Sequence, residues 1–297
     1  MIQFLIDLLI RTADITLVAV GLSAVYSLVK FPNVAHVQYA ALGAFFTLAG
    51  QRMGLPFALA LVVSCLITGL IAALLNAFVF SRLLRSGPSI AMIGSLAVSM
   101  VLVALMLGIA GSRPMRYEFD IVAPLVIGGA RVSLAQMYSV LASILVLVGF
   151  SLLLFKTKVG RSMRALSTNR PLASATGIDA ERVTALISFI SGMFAAIGGT
   201  MLAMTSDVHV NLGNDLLLPV FAAAILGGLG NPLGAAAGAL LIALAETAVT
   251  NINFGWVVNL PLAFLPVTYI SAASFLILLL ALLFKPYGLF DREVRRV

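Results

Sequence analysis

The sequence predicts an all-α, polytopic membrane protein, and three observations carry this prediction. Of the 297 residues, 62% are apolar and only 10% are charged, whereas a soluble domain carries roughly a quarter charged residues. The mean hydropathy is +1.14. The apolar residues are gathered in runs near the length of about 20 residues that crosses a bilayer as a helix. A chain with so little polar surface is suited to lipid rather than to water.

Eight apolar runs are candidate membrane segments, and no linker between them is long enough to separate two domains. We therefore expect one transmembrane domain over residues 1–297. The second run is short for a complete crossing. The candidate segments are Ile6–Val29, Ala35–Gly50, Pro56–Phe80, Pro88–Ala110, Leu134–Phe155, Val183–Thr205, Leu216–Val249 and Leu262–Phe284.

Basic residues between the runs indicate the orientation. Ser81–Gly87, Lys156–Arg182 and the tail from Lys285 hold 12 of the 18 basic residues. Basic loops are retained in the cytoplasm, so we expect these three segments and the C-terminus there. The N-terminus then lies outside, provided that every earlier run crosses fully. Gly111–Ser133 becomes an external loop with a turn or small hairpin at Gly128-Gly129; it either joins two helices or receives a soluble partner.

Glycine and proline interrupt the segment Leu216–Val249 at Gly227–Pro232. Both residue types weaken a helix, and exposed backbone is not tolerated against lipid. One interpretation, which we prefer, is two half-helices meeting at mid-membrane. The other is a tight hairpin at the membrane surface. Pro32-Asn33 also precedes a short run, as Asn231-Pro232 does, which is consistent with an internal repeat.

Small residues recur at four-residue spacing, a pattern through which membrane helices pack closely. Such pairs are Gly69 and Ala73, Gly192 and Ala196, Ala195 and Gly199, and Gly234 and Gly238. They predict a tight bundle, including a contact between subunits as one alternative.

Few polar residues fall inside the runs. A charge at the bilayer centre costs about 3 kcal/mol on insertion scales, so it usually has a partner or faces water. For Glu246, a hydrogen bond to a neighbouring helix and a role in a solute pathway are both compatible with the sequence. Asn76 lies within the third run, and we expect Asp14 and His36 at the membrane interface.

The longest polar stretch is Lys156–Arg182, which we call the long loop. Arg161–Leu166 is predicted to form a short helix, and Asn169 with Pro171 indicates a stop and a restart. Gly177 suits the position after a helix, and Asp179 suits an N-cap. A folded loop of this length suggests a docking surface, since a connector needs only a few residues. The alternative is an amphipathic element that lies on the membrane without a partner.

The long loop resembles that of the branched-chain amino acid permease family of ABC importers. The family pattern is roughly G-R-x-x-R-A, then N, A, G-I-D/N and R-V. Three further elements extend the resemblance over nearly the whole chain: Asn33-Val-Ala-His36, the glycine-rich Leu226–Ala235 with Ala245-Glu246, and Lys285–Phe290. After His36 the family usually has Gly, and Val37 stands here. The loop positions that match are Gly160-Arg161, Arg164-Ala165, Asn169, Ala173, Gly177-Ile178-Asp179 and Arg182-Val183.

The resemblance implies a membrane-spanning permease subunit of an ATP-driven ABC importer. Its solutes would be branched-chain or related amino acids, and its location the bacterial cytoplasmic (inner) membrane. The implied partners are a second permease subunit, like or unlike, two cytoplasmic ATPases that use ATP and Mg, and an extracytoplasmic solute-binding protein. This chain itself is expected to hold no cofactor, metal or catalytic residue.

The resemblance also assigns residues. Those expected to couple the loop to the ATPases are Gly160, Arg161, Arg164, Ala165, Asn169 and Gly177. The polar residues inside the runs, together with the Asn33–His36 element and the glycine-rich break, supply the residues expected along the translocation pathway: Asn33, His36, Asn76, Gly228, Asn231 and Glu246.

Motif absences restrict the alternatives. The sequence contains no G-x-x-x-x-G-K-[ST], no H-E-x-x-H and no G-x-S-x-G, which disfavours an ATPase or an intramembrane hydrolase. The remaining alternative is a self-contained ion-coupled carrier or channel. That class often places several charges at mid-membrane, whereas this chain concentrates its polar residues in one loop.

Overall fold

The computed structural model describes residues 2–119, 125–127, 130–251, 270–284 and 288–289. Its first half contains α1 (Ile2–Val29), α2 (His36–Arg52), α3 (Phe57–Leu75), a π-helical segment (Asn76–Phe80), α4 (Ser81–Arg85), α5 (Pro88–Ala110), and the antiparallel strands β1 (Leu125–Ile127) and β2 (Ala130–Val132). Its second half contains α6 (Leu134–Lys156), α7 (Lys158–Thr168), α8 (Arg170–Ala175), α9 (Ala180–Thr205), α10 (Leu212–Leu226), α11 (Pro232–Asn251) and α12 (Ile270–Phe284).

The helical membrane architecture is confirmed. Within the described residues, six helical stretches are long and apolar enough to cross a bilayer, and two shorter apolar helices accompany them. The hairpin predicted at Gly128-Gly129 is present as β1 and β2. The start of the predicted segment Leu262–Phe284 and the basic tail lie mostly outside the described residues. The six long stretches are Ile2–Val29, Phe57–Arg85, Pro88–Ala110, Leu134–Lys156, Ala180–Thr205 and Pro232–Asn251.

Two of the three basic segments, Ser81–Gly87 and Lys156–Arg182, share one end of the bundle, which we call the loop end. Arg85 of α4 and Arg170 of α8 line one cavity together with Val29, the last residue of α1. The opposite end, the hairpin end, holds the start of α1 beside the strands, since the backbone amide of Arg131 donates to the side chain of Gln3 at 3.2 Å. The segments Ser81–Gly87 and Lys156–Arg182 therefore lie at the same end of the bundle, as their charge predicts.

Two short helices begin inside the bundle rather than at a face. At the start of α2, His36 Nε2 lies 3.1 Å from the carbonyl oxygen of Val18, a residue in the middle of α1. At the start of α10, Gly213 lies against Gln38, whose side-chain amide donates to Asn214 at 2.8 Å. The chain therefore turns back into the bundle before each short helix, and the predicted segment Ala35–Gly50 starts at mid-depth.

The glycine-rich turn between α10 and α11 lies at the loop end. Gly228 and Gly230 have φ of +95° and +93°, a region that glycine enters without a steric penalty. A Cβ on Gly230 would lie 3.4 Å from the Cα of Ser27, near the end of α1. The mid-membrane break that we preferred is therefore wrong, and the hairpin interpretation is right. The Gly/Pro signal marks a turn but does not report its depth.

Small residues allow α9 to sit at the centre of the bundle, where it packs against α1, α2 and α3. A Cβ on Gly199 would stand 2.0 Å from the carbonyl oxygen of Ala40, and one on Gly43 would stand 2.3 Å from the Cα of Ala196. On the other side, a Cβ on Gly192 would stand 2.7 Å from Ala72. The predicted close packing through small residues is confirmed within this chain.

The helix packing repeats if α1, α2 and α3 are matched with α9, α10 and α11. The contact of α1 with α11 corresponds to that of α9 with α3, and the contact of α2 with α3 corresponds to that of α10 with α11. α1 runs from the hairpin end to the loop end, whereas α9 runs the opposite way. The two sets, α1–α3 and α9–α11, therefore have opposite directions.

A buried charge network joins four helices near the hairpin end. Glu246 of α11 is 1% exposed; it accepts from Arg11 Nε of α1 at 2.5 Å and from Ser274 Oγ of α12. Asp14 accepts from Ser139 of α6 at 3.2 Å. The hydrogen-bonding interpretation of Glu246 is thus confirmed. Asp14 and His36 are 3% and 1% exposed, so both are enclosed by protein. The expected interfacial placement of His36 is wrong, since His36 lies beside Val18 in the middle of α1.

We expect Glu246→Ala to destabilise the bundle strongly, because it leaves the Arg11 guanidinium without its buried partner. Breaking a buried pair costs about 3–5 kcal/mol, reduced here because Arg11 is 26% exposed. Thermal unfolding in detergent of both single variants and of the Arg11→Ala, Glu246→Ala double variant measures the coupling. The double variant should be more stable than the two single losses predict. Strictly additive losses would contradict the pairing.

Candidate functional site

The long loop is folded by its own capping residues. Thr157 accepts from the backbone amide of Gly160 at the start of α7, and Asn169 accepts from that of Leu172 at the start of α8, both at 3.1 Å. Gly177 has φ of +89°, and Asp179 accepts from the first amides of α9. The predicted short helix, restart, glycine and N-cap are all confirmed.

One face of α7 is seated on the ends of the membrane helices. Met163 and Leu166 are 2% and 4% exposed and belong to a cluster with Phe150 and Leu154 of α6. A Cβ on Gly160 would stand 2.2 Å from the carbonyl oxygen of Leu154. Only glycine therefore allows α7 to approach the end of α6 this closely.

Arg164 reinforces this seat. Its guanidinium donates to the carbonyl oxygen of Leu154 and lies 5.4 Å from the ring centre of Phe155, an arrangement that adds cation–π attraction. Ala165 is half-buried beside the same cluster. Gly160, Arg164 and Ala165 thus attach the loop to the bundle, although the Arg164 side chain remains exposed.

The opposite surface of the loop faces away from the bundle. Arg161, Asn169 and Gly177 are exposed there, whereas exposed Arg170 lines the cavity that it shares with Arg85. Leu172 of α8 is 63% exposed and was not among the predicted site residues. The available signal was a leucine directly after Pro171 in a polar helix. We call Arg161, Asn169, Leu172 and Gly177 the outer face of the loop.

Two of the predicted pathway residues lie in the glycine-rich turn at the loop end instead. Asn231 accepts from the amide of Gly234 at 3.1 Å and caps α11. It also lines a cavity of about 190 Å³ with Met163 and Arg164 of α7. Gly228 lies against Gly288. Both residues therefore belong to the turn between α10 and α11 at the loop end.

The polar groups in the interior of the bundle lie near the starts of the short helices α2 and α10. Asn33 accepts from the amide of Ala35 at 3.1 Å, and His36 Nδ1 lies 3.3 Å from Ser191 Oγ. Gln38, 0% exposed, donates to Asn214. Gln38, Ser191 and Asn214 were missed, because their spacing along the chain gives no sign that they meet.

The six predicted pathway residues therefore do not form one site. Asn33 and His36 lie where the chain turns back towards α2. Glu246 lies in the charge network near the hairpin end. Asn76, Gly228 and Asn231 lie at the loop end, where Asn76 lines a separate cavity with Phe80, Arg85 and Glu181.

The hairpin end presents an exposed polar surface. Arg116 Nε lies 2.5 Å from Asp207 Oδ1, and a backbone bridge joins Met115 to Val208. The hydrogen bond from Arg116 lowers the pKa of Asp207 below its usual value. Exposed pairs contribute little stability, so the backbone bridge does more to join the loop after α5 to the segment after α9.

The described residues contain no cluster of three or more His, Cys, Asp or Glu side chains that could hold a metal ion.

Comparisons with known proteins identify the family. A family model described as "Branched-chain amino acid transport system / permease component" matches residues 4–284. The probable branched-chain amino acid transport permease protein LivH of Methanocaldococcus jannaschii is 29% identical over 290 residues, covering 93% of this chain and 88% of that protein. The high-affinity branched-chain amino acid transport system permease protein LivH of Escherichia coli is 26% identical, covering 95% and 92%.

A solved structure supports the fold alone. PsaBC from Streptococcus pneumoniae, in complex with Fab, matches with a TM-score of 0.52 and 13% identity, covering 96% of this chain and 92% of that chain. The resemblance stated from the sequence motifs is confirmed by the family match over almost the whole length. The chain belongs to the branched-chain amino acid permease family, and it is a multi-pass, non-enzymatic membrane component of an ABC transport system.

Proposed function

We propose that this chain forms the translocation pathway for branched-chain or related amino acids in an ATP-driven importer of the bacterial cytoplasmic membrane. The observation that carries the proposal is the folded long loop, seated on the helix ends and exposing an outer face, in a chain that matches the permease family over residues 4–284. The E. coli and M. jannaschii relatives are named for branched-chain amino acids. The N-terminus lies outside and the loop end faces the cytoplasm.

The permease forms one domain over residues 1–297, with the coupling loop at 156–182 inside it. Its eight membrane segments are α1, α2, α3 with α4, α5, α6, α9, the Gly/Pro-broken pair α10–α11, and α12, with α2 and α10 each entering only part of the bilayer. The opposite directions of α1–α3 and α9–α11 support an inverted internal repeat, a device of many transporters. This repeat differs from the one suggested by Pro32-Asn33 and Asn231-Pro232, which precede helices that do not correspond.

Two ATPases, which use ATP and Mg, bind the loop end of the paired permeases, and a solute-binding protein docks at the hairpin end. The outer face of the loop contacts the ATPase through exposed Leu172 and the basic side chain of Arg161. Displacement of this face moves α6 and the α10–α11 turn, because Gly160 and Arg164 fix α7 to α6. Asn169 and Gly177 keep α8 in place by ending and restarting the helices.

The arrangement disfavours a self-contained ion-coupled carrier. The polar groups at the inner ends of α2 and α10 are neutral amides and hydroxyls beside one histidine. The buried charges Arg11 and Glu246 satisfy each other at 2.5 Å. An ion-driven carrier would be expected to keep such charges along its pathway.

We expect Leu172→Asp to weaken ATPase binding at least tenfold, because it replaces an exposed apolar anchor, worth about 1.5–3 kcal/mol when buried, with a charge. Copurification of the ATPase with the membrane subunit measures the loss. Leu172→Met is the matched control and should retain binding. Normal copurification of the aspartate variant would exclude Leu172 from the interface.

The function itself is tested by reconstitution. With its partner permease, ATPases and binding protein in liposomes, the chain should support ATP-dependent uptake of leucine, isoleucine or valine. The chain alone should move none of them, with or without an ion gradient. Ion-driven uptake by the chain alone would overturn the proposal and support the self-contained carrier.

A further inference from the structure

A cavity at the loop end has a composition that transport coupling does not require. It measures about 280 Å³ and lies between the end of α1, the π-helical segment with α4, and the starts of α8 and α9. Its floor is apolar: Phe31 and Phe80 are each 1% exposed, and their rings meet edge to face at 5.9 Å. The size lies near the lower limit for ligand pockets, which suits a small solute.

Three charged side chains line the same cavity. Arg85 comes from α4, Arg170 from α8 and Glu181 from the first turn of α9. Among the described residues, none of the three takes part in an ion pair. Two cations and one anion are thus gathered around one space without neutralising one another.

A buried amide completes the lining. Asn76 is 8% exposed and begins the π-helical segment, a geometry that is frequent at functional sites. Within the described residues its side-chain amide has no hydrogen-bond partner, and it is not one of the polar groups closed off from solvent, so it opens onto the cavity. The amide therefore has both its donors and its acceptor available to a ligand in the cavity.

We propose that this loop-end cavity binds a zwitterionic α-amino acid with an apolar side chain, entering from the cytoplasm. Guanidinium groups pair with carboxylates, so Arg85 and Arg170 hold the ligand carboxylate. Glu181 and the Asn76 oxygen accept from the ligand ammonium group. Phe31 and Phe80 contact the apolar side chain. The entry side rests on the proposed function, which places the loop end in the cytoplasm.

Binding here regulates transport. The ligand contacts Arg170 and Glu181, at the start of α8 and in the first turn of α9, and also Asn76 and Arg85 on the segment that continues α3. A ligand that joins two parts in one arrangement stabilises that arrangement over any in which they separate. The imported amino acid therefore slows its own import once it accumulates inside the cell.

Leucine is the probe, and the complete transporter in nanodiscs of phosphatidylcholine and phosphatidylglycerol, without binding protein, is the sample. Calorimetry should show saturable leucine binding. Leucine amide, which lacks the carboxylate, and 4-methylpentanoate, which lacks the ammonium group, should each bind at least tenfold more weakly. Leucine on the ATPase side should also reduce ATP hydrolysis stimulated by the binding protein.

Variants locate the binding. Arg85→Ala should weaken leucine binding at least tenfold and abolish the inhibition. Glu181→Gln should weaken the binding of leucine but not that of 4-methylpentanoate, because it removes only the partner of the ammonium group. This second variant keeps the test informative if Arg85→Ala fails to fold. Arg82→Ala, on the same helix but outside the cavity lining, is the matched control and should bind leucine normally.

Three results would overturn the proposal: no leucine binding, binding unchanged by both cavity variants, or occupancy only when phosphatidylethanolamine is added. The last would assign the cavity to a lipid headgroup, which carries the same pairing of anion and ammonium. Uptake of leucine measured in parallel separates the two proposals. Uptake without cavity binding contradicts only this inference, and cavity binding without uptake contradicts only the proposed function.

Discussion

The close crossing of α2 and α9 is the constraint on which the rest of the bundle depends. α2 begins at mid-depth, and the first amides of a helix have no partner within the helix. Lipid offers none either. Gly43 and Gly199 let the two backbones touch, so the start of α2 is enclosed by protein. There Asn33 accepts from the amide of Ala35, and Ser95 Oγ accepts from that of Val34.

The same helix α9 links this interior to the long loop. It begins at Asp179, the loop's last cap, passes the start of α2 at Ser191 and ends near the hairpin end. The loop is fixed a second time where Gly160 meets the end of α6. A force applied to the outer face of the loop therefore reaches the interior through two rigid helices rather than through a flexible linker.

The fold of the long loop was predictable because its capping residues act locally. The interior was not predictable, because the sequence does not show the depth at which each helix starts. Asn169, Gly177 and Asp179 act within a few residues of their own position, so their roles follow from the sequence. Hydropathy counts apolar residues but does not report where a helix starts in the bilayer, and for that reason His36 was expected at the interface. The Gly227–Pro232 turn was recognised, but its depth depends on how far α10 extends from Leu212.

Contacts between residues that are far apart in the sequence were not predictable either. Arg11 and Glu246 are 235 positions apart, so the sequence indicates that Glu246 needs a partner but not that the partner is Arg11. Asn76 was singled out for its polarity inside an apolar run. Its place in the loop-end cavity depends on Arg170 and Glu181, which the loop brings to α4 only after folding. Family motifs identified the class of protein but did not indicate which motif residues share a space.

The central claim is that the long loop transmits movement because Gly160 seats α7 directly on α6. Gly160→Val tests it, with Gly149→Val in α6 as the control, since a Cβ at Gly149 meets nothing within 4 Å. The measurement is leucine uptake per ATP hydrolysed by the reconstituted transporter. The account predicts continued hydrolysis with at least a tenfold loss of uptake for Gly160→Val and a normal ratio for Gly149→Val. An unchanged ratio in Gly160→Val would contradict it.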